Sequence, residues 1–245
     1  MSQVMAMGLF DLPAPLFRGA EMLFAPLPPA LRLVIWAAVA ATLSMWLYKL
    51  LSPQRKLMET EAAALAARRE LNAFDGDFDD AWPLMARVFR TAGSRLWLAL
   101  PPALLASIPI IALIVWLSND YGYRFPSDSE QAVAQATPGD YVAEMVAHEG
   151  TSRRVVVREP QGNVVSDVPV GAPVPIIEKR RWWNLLIGNP AGYLPDTGPV
   201  DSVHIELPAL EVVPFGPGWA RGWEVIFFAL FLVFSLIIKK VGKIA

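Results

Sequence analysis

The sequence predicts an α+β integral membrane protein. It combines three transmembrane helices, a cytosolic antiparallel helical hairpin and a small all-β extracytoplasmic domain. Three observations lead there. Two long runs, Leu33–Leu51 and Leu96–Leu117, are apolar all round, whereas an amphipathic surface helix keeps one polar face. Each is close to the ~20 residues that a bilayer's hydrocarbon core demands of a helix. Between them lies a charged, helix-patterned stretch, Ser52–Arg95, and beyond the second run the chain turns β-branched and rich in glycine and proline.

Composition agrees and narrows the function classes. The 245 residues are 54% hydrophobic and 18% charged, with a mean hydropathy of +0.39. Soluble domains average ~25% charged residues, so this is a membrane composition diluted by a polar portion. A net charge of −2 offers no basic footprint for nucleic acid. The absence of cysteine excludes disulfides, thiolate catalysis and cysteine metal sites. His148 and His204 lie far apart, so no metal site is expected, and no cofactor motif is present.

Residues 1–30 form an N-terminal extracytoplasmic or interfacial segment, apolar but broken by five prolines. Ala14–Phe24 reads either as a short helix lying on the headgroups or as a disordered apolar leader. The first charge is Asp11 rather than a basic residue, which is unlike a cleaved signal peptide, so a retained span is expected. That first span runs over 31–51, with Pro28 and Pro29 where a first helical turn tolerates them.

The hairpin occupies 52–95. Ser52-Pro53 reads as a helix cap followed by proline at the first helical position. Leu57/Met58, Ala64/Leu65 and Leu71 then keep one apolar face. The acidic stretch Phe74–Asp80 breaks this helix at Gly76. Met85, Val88, Phe89, Ala92 and Leu96 repeat the spacing of a second amphipathic helix. Each arm holds barely two heptads, fewer than the three or four that specify a coiled coil.

The second span, 96–117, contains Pro101, Pro102 and Pro109, which free carbonyls for neighbouring groups to satisfy. The region 118–218 is extracytoplasmic, and a β domain of sandwich or barrel type fills about 136–213 of it. Its predicted strands are Tyr141–His148, Arg153–Arg158, Val174–Glu178 and Val203–Leu207, with a turn at Gln161-Gly162-Asn163. Within it, Lys179, Arg180, Arg181, Trp182 and Trp183 form a distinctive cluster. The cluster is either a headgroup-facing or partner-binding edge, or a solvated edge with its tryptophans packed inside. The third span lies in 219–245, where the apolar run Val225–Ile238 is followed by a basic tail. Trp219 and Trp223 are expected to extend this short run at one interface.

Lys49, Arg55, Lys56, Arg87, Arg90, Arg95 and the terminal lysines lie on the hairpin side, against Arg32, Arg124 and Arg221 opposite. The positive-inside rule therefore predicts an N-out, C-in topology. In a bacterial inner membrane the β domain then faces the periplasm.

The segment LYKLLSPQRKLMETEAAALAARREL, an acidic break, and MARVFRTAGSRLWLALPPALLASIPIIALIVWL together resemble the YidC/Oxa/Get/EMC superfamily of membrane-protein insertases. The likeness is to its minimal three-span branch and covers roughly 31–125 and 219–243. It implies a polar intramembrane groove that eases polar client segments across the bilayer. Groove-lining candidates are Thr42, Ser44, Tyr48, Ser107 and Ser235, with Lys49 and Arg95 at the cytosolic mouth. No charge lies deep in any span, where bacterial insertases place an arginine, and the β domain is an insertion relative to the minimal plan. Each hydroxyl also has a plain alternative, a hydrogen bond to its own helix. The expected function is an insertase or membrane chaperone, with lipid bilayer and membrane-protein clients as partners. The alternative is a membrane-anchored adaptor or assembly factor whose outer β domain binds a partner protein. No nucleophile–base pair or phosphate loop is present, so no enzyme is expected.

Overall fold

In a computed structural model, residues 7–127, 132–147 and 153–244 are described. The chain is α+β, with helices through the N-terminal half and an antiparallel sheet after them. It divides into two units, Met1–Leu33 with Ile111–Phe227, and Val34–Ile110 with Phe228–Ala245. The helices among the described residues are α1 (Ala14–Phe24), α2 (Pro29–Leu51), α3 (Gln54–Asn72), α4 (Phe78–Tyr121) and α5 (Trp223–Val241). Two helices, Pro29–Leu51 and Asp80–Tyr121 within α4, are long and apolar enough to cross a membrane. The α5 helix falls short of that measure because Glu224, Lys239 and Lys240 bound its apolar run.

The second unit holds the hairpin. Helix α4 is continuous over 44 residues, about 66 Å at 1.5 Å per residue, and so carries both the hairpin's second arm and the second apolar run. Its Pro101, Pro102 and Pro109 all lie inside the helix. Two ion pairs join α3 to α4, Glu61 to Arg95 at 3.1 Å and Glu70 to Arg87. One partner number rises as the other falls, which is the register of an antiparallel pair closed by Ala73–Asp77.

Two local expectations are corrected here. Ser52 does not cap α3; its hydroxyl donates to the Tyr48 carbonyl at the end of α2, and α3 begins beyond Pro53 with no side-chain cap. The predicted apolar face of the second arm is also divided, because Phe89 is 72% exposed and Leu96, though largely exposed, borders a cavity against α3.

The first unit contains a six-stranded, wholly antiparallel sheet in the order β4-β3-β2-β1-β6-β5. Its strands are β1 (Val133–Thr137), β2 (Val142–Ala147), β3 (Arg153–Arg158), β4 (Val164–Val170), β5 (Ile176–Glu178) and β6 (Ser202–Ile205). This is one sheet rather than a sandwich. Val155, Val157, Val168, Ile177, Val203 and Ile205 line one face, and Ala191, Leu194 and Val200 from the connection before β6 join the same core. Alternation is clearest in β4, where Ser166, Val168 and Val170 are buried between exposed neighbours, the period of two that a one-sided sheet requires. The predicted turn joins β3 to β4, with Gly162 at φ 94°, a conformation that favours glycine.

At the start of α5, Trp223 is buried and packs on Phe227 with ring centroids 6.2 Å apart. It therefore does not extend the apolar run outward as expected; Trp219 is exposed. His204 is exposed on β6, while His148 lies outside the described residues.

Candidate functional site

Three polar side chains of the second unit meet near the C-terminal ends of α2 and α5. The last turns of α2 supply Ser44 and Tyr48, α4 supplies the small Ala103 and Ala106, and α5 supplies Lys239; with Met45 and Ile244 they line a cavity of about 270 Å³. Ser44 is buried. The alanines leave room that larger side chains on α4 would fill. Chain geometry after α5 closes the site. Lys243 adopts φ 48°, the Ile244 amide donates to the Lys239 carbonyl at 3.1 Å and the Lys243 amide to the Lys240 carbonyl at 3.4 Å. Those two bonds define a Schellman cap, and it turns Ile244 back to become buried. Lys49 adds a cation at this helix end, with Nζ donating to the Gly242 carbonyl at 3.0 Å. A positive charge there complements the helix dipole.

The sequence candidates separate accordingly. Ser44 and Tyr48 share the cavity, and Lys49 sits on the adjacent cap. Thr42, which is exposed, and Ser107, which is half-buried, instead donate to carbonyls of their own helix, Ala38 at 2.8 Å and Leu104 at 2.7 Å. The Ser235 hydroxyl is buried without a hydrogen-bond partner but does not line this cavity. Arg95 lines a different one, about 290 Å³, with Glu61, Ala64, Leu65, Arg68, Ala92, Leu96 and Ala99 between the hairpin arms. Lys239 was missed as a lining residue, because a lysine ending an apolar run reads equally well as a topology signal.

No family model, curated protein or solved structure matches this chain.

In the first unit the basic cluster is tied into the fold. Lys179 Nζ lies 2.8 Å from Asp201, Arg180 sits over the Tyr193 ring at 5.9 Å, and Arg181 over the Trp183 ring at 5.1 Å. Lys179 holds the Asp201 carboxyl below the ordinary carboxylate range, through its hydrogen bond and its charge. Burial raises the Tyr193 hydroxyl above its ordinary value. The tryptophans are not packed inside: Trp182 is 73% exposed, Trp183 is exposed beside it, and their rings meet edge to face at 5.9 Å.

A polar network unforeseen from the sequence links α1, α2 and α4 in the same unit. Glu21 pairs with Arg32 at 2.9 Å and accepts the Tyr121 hydroxyl, while Arg18 lies 3.6 Å from Asp120. Residues 11 to 102 positions apart meet there, so no local spacing announces it. Among the described residues, no group of three or more His, Cys, Asp and Glu side chains is placed to hold a metal.

Proposed function

We propose that this protein is a membrane-protein insertase of the three-span YidC/Oxa/Get/EMC kind. In this reading α2, α4 and α5 cross the bilayer, the α3–α4 hairpin is cytosolic, and the sheet lies on the opposite side. In a bacterium that is the periplasm. The observation that carries the reading is the cavity where Ser44, Tyr48 and Lys239 meet beside the Lys49-capped end of α5. A polar client group stripped of water in hydrocarbon costs several kcal/mol. Hydroxyls and a lysine ammonium beside small alanines replace part of that hydration, so a client's polar flank meets a lower barrier. No covalent step is involved.

One further feature supports the reading, and one departs from the resemblance. Trp82 and Phe89 are exposed along the hairpin's second arm, apolar side chains suited to receiving a hydrophobic client segment. The lysine stands at the mouth, where the resemblance has an arginine deeper in the groove.

The test is the purified chain reconstituted into liposomes with a single-span client bearing a short translocated tail. Protease-protected tail is expected several-fold above empty liposomes, and lower with Ser44→Leu or Lys239→Leu. Protection no greater than in empty liposomes overturns the reading. Deletion of Ala136–Val213 that abolishes function in cells, while the helices stay inserted, replaces it with the adaptor reading.

A further inference from the structure

The outward face of α1 has inverted amphipathicity. Its charged residue Glu21 turns inward to Arg32 and Tyr121, and Phe17 packs on Trp116 with ring centroids 5.7 Å apart. Leu12, Leu16 (72% exposed), Met22 and Leu23 (77% exposed) turn outward. They repeat at helical spacing with Gly19 between them, so the exposed stripe contains no charge, and Arg18 stands at its margin. Such a face is unfavourable in water and suits a lipid surface.

A second apolar surface stands beside it. The loop after β5 exposes Trp182, Trp183, Leu185, Leu186 and Ile187, next to Arg180 and Arg181. The loop is fastened to the N-terminal segment by two hydrogen bonds, and a third within that segment orients the Asp11 carboxylate. Phe10 N–H donates to the Leu186 carbonyl at 2.9 Å. The buried Asp11 carboxylate accepts from Gly8 N–H at 2.8 Å and from Gly188 N–H at 2.7 Å. The approach is close enough that a Cβ on Gly8 would come within 2.6 Å of the Gly188 nitrogen and the Leu186 oxygen. The loop and the start of α1 are thus one body, latched by Asp11.

We propose that this latched surface, the outer stripe of α1 with the Trp182–Ile187 loop, inserts into the headgroup–acyl boundary of the bilayer that α2 spans. The occupant follows from continuity. Helix α2 has 23 residues, about 35 Å at 1.5 Å per residue, enough to bring both ends to the interfaces of a ~30 Å core. Only Ala25–Pro28 separate α1 from it, a reach of at most about 14 Å. Tryptophans flanked by arginines are the side chains that favour that depth, and the arginines match anionic headgroups. The sheet is thereby held down on the membrane surface through the Asp11 latch. This inference rests on the spanning reading of α2.

The chain has no cysteine, so single cysteines report unambiguously. Leu16→Cys, Leu185→Cys and, as an exposed control on edge strand β4, Val164→Cys are labelled with an environment-sensitive fluorophore. The full chain is then placed in phosphatidylcholine–phosphatidylglycerol vesicles. Positions 16 and 185 are expected to be quenched by lipids carrying a nitroxide near the headgroup, and shielded from iodide several-fold more than position 164. Asp11→Ala is expected to return position 185 to the level of position 164 and leave position 16 shielded; Asp11→Asn, which keeps an acceptor oxygen, retains more of the effect. Iodide access at positions 16 and 185 equal to that at 164, in a chain that resists alkaline carbonate, overturns the inference alone. Release by carbonate overturns the spanning reading and this one with it. Shielding that grows with protein density without nitroxide quenching assigns the surface to a second copy, and also overturns the proposal.

Discussion

Lys243 occupies the left-handed position of the cap after α5 at φ 48°, where a side chain is strained and glycine is not. Lys243→Gly is expected to stabilise the chain by about 1 kcal/mol, read as a higher unfolding temperature in detergent micelles. Ser166 is buried on β4 with its hydroxyl unpartnered. Because a buried unmade hydrogen bond costs ~1–3 kcal/mol, Ser166→Ala is expected to raise stability in the same assay by about 1 kcal/mol. The exposed Lys179–Asp201 pair contributes with a definite sign. Asp201 is depressed in the folded chain, so the pair's contribution is present above the ordinary carboxylate range and is lost as pH falls through the lowered value. Lys179→Met is expected to shift the Asp201 carboxyl midpoint upward, measured by NMR titration. These details also mark how far individual residues were legible. Thr42 and Ser44 read alike as hydroxyls in one apolar run. Only the packing of α4 and α5 against α2 separates Ser44, which lines a cavity, from Thr42, which bonds its own helix.

The hairpin's antiparallel register is set by charges whose pairing can be exchanged. Arg95→Glu leaves two carboxylates opposed at the Glu61 position. Adding Glu61→Arg restores the attraction with its direction reversed. Half-exposed pairs of this kind contribute ~0.2–1 kcal/mol, so the single variant is expected to lose about 0.5–1 kcal/mol and the double variant to recover most of it. Amide exchange over Gln54–Asn72 is the measurement. The two arms were readable because apolar residues repeat at helical spacing around an acidic break. Which face points inward was not, since Phe89 and Leu96 fit the periodic pattern and are nevertheless exposed. The sheet divides in the same way. Strands β2, β3, β5 and β6 stand out as β-branched runs. Strand β1 (VAQAT) is rich in alanine, a residue depleted in strands, and β4 carries Asp167 and Pro169. Proline is admissible in β4 because that strand is an edge of the sheet, a position that sequence alone does not reveal.

On the spanning reading proposed above, whether α5 also crosses decides the topology of the whole chain. Its apolar run of 14 residues, Val225–Ile238, covers about 21 Å of a ~30 Å core. Burial of Trp223 removes one of the two rings that could have lengthened it. Against this stands the pairing at its other end. Lys49, in the last turn of α2, donates to Gly242 just beyond α5, and Ser44 and Tyr48 share a cavity with Lys239. The C-terminal turns of α2 and α5 therefore lie side by side, so a membrane crossed by α2 receives the end of α5 at the same face. A short helix reaching that face favours local thinning of the bilayer or snorkelling by its lysine stems. The expected outcome is that thiols at Arg68→Cys in the hairpin and Lys240→Cys at the end of α5 are labelled from one side of the membrane. Val164→Cys in the sheet is then labelled only from the other, measured with a membrane-impermeant maleimide on intact and opened cells. Labelling of Lys240→Cys together with Val164→Cys would mean that α5 does not cross, reducing the spans to the two helices whose length and hydropathy already suffice. A cavity open to clients from the hairpin side would then be excluded.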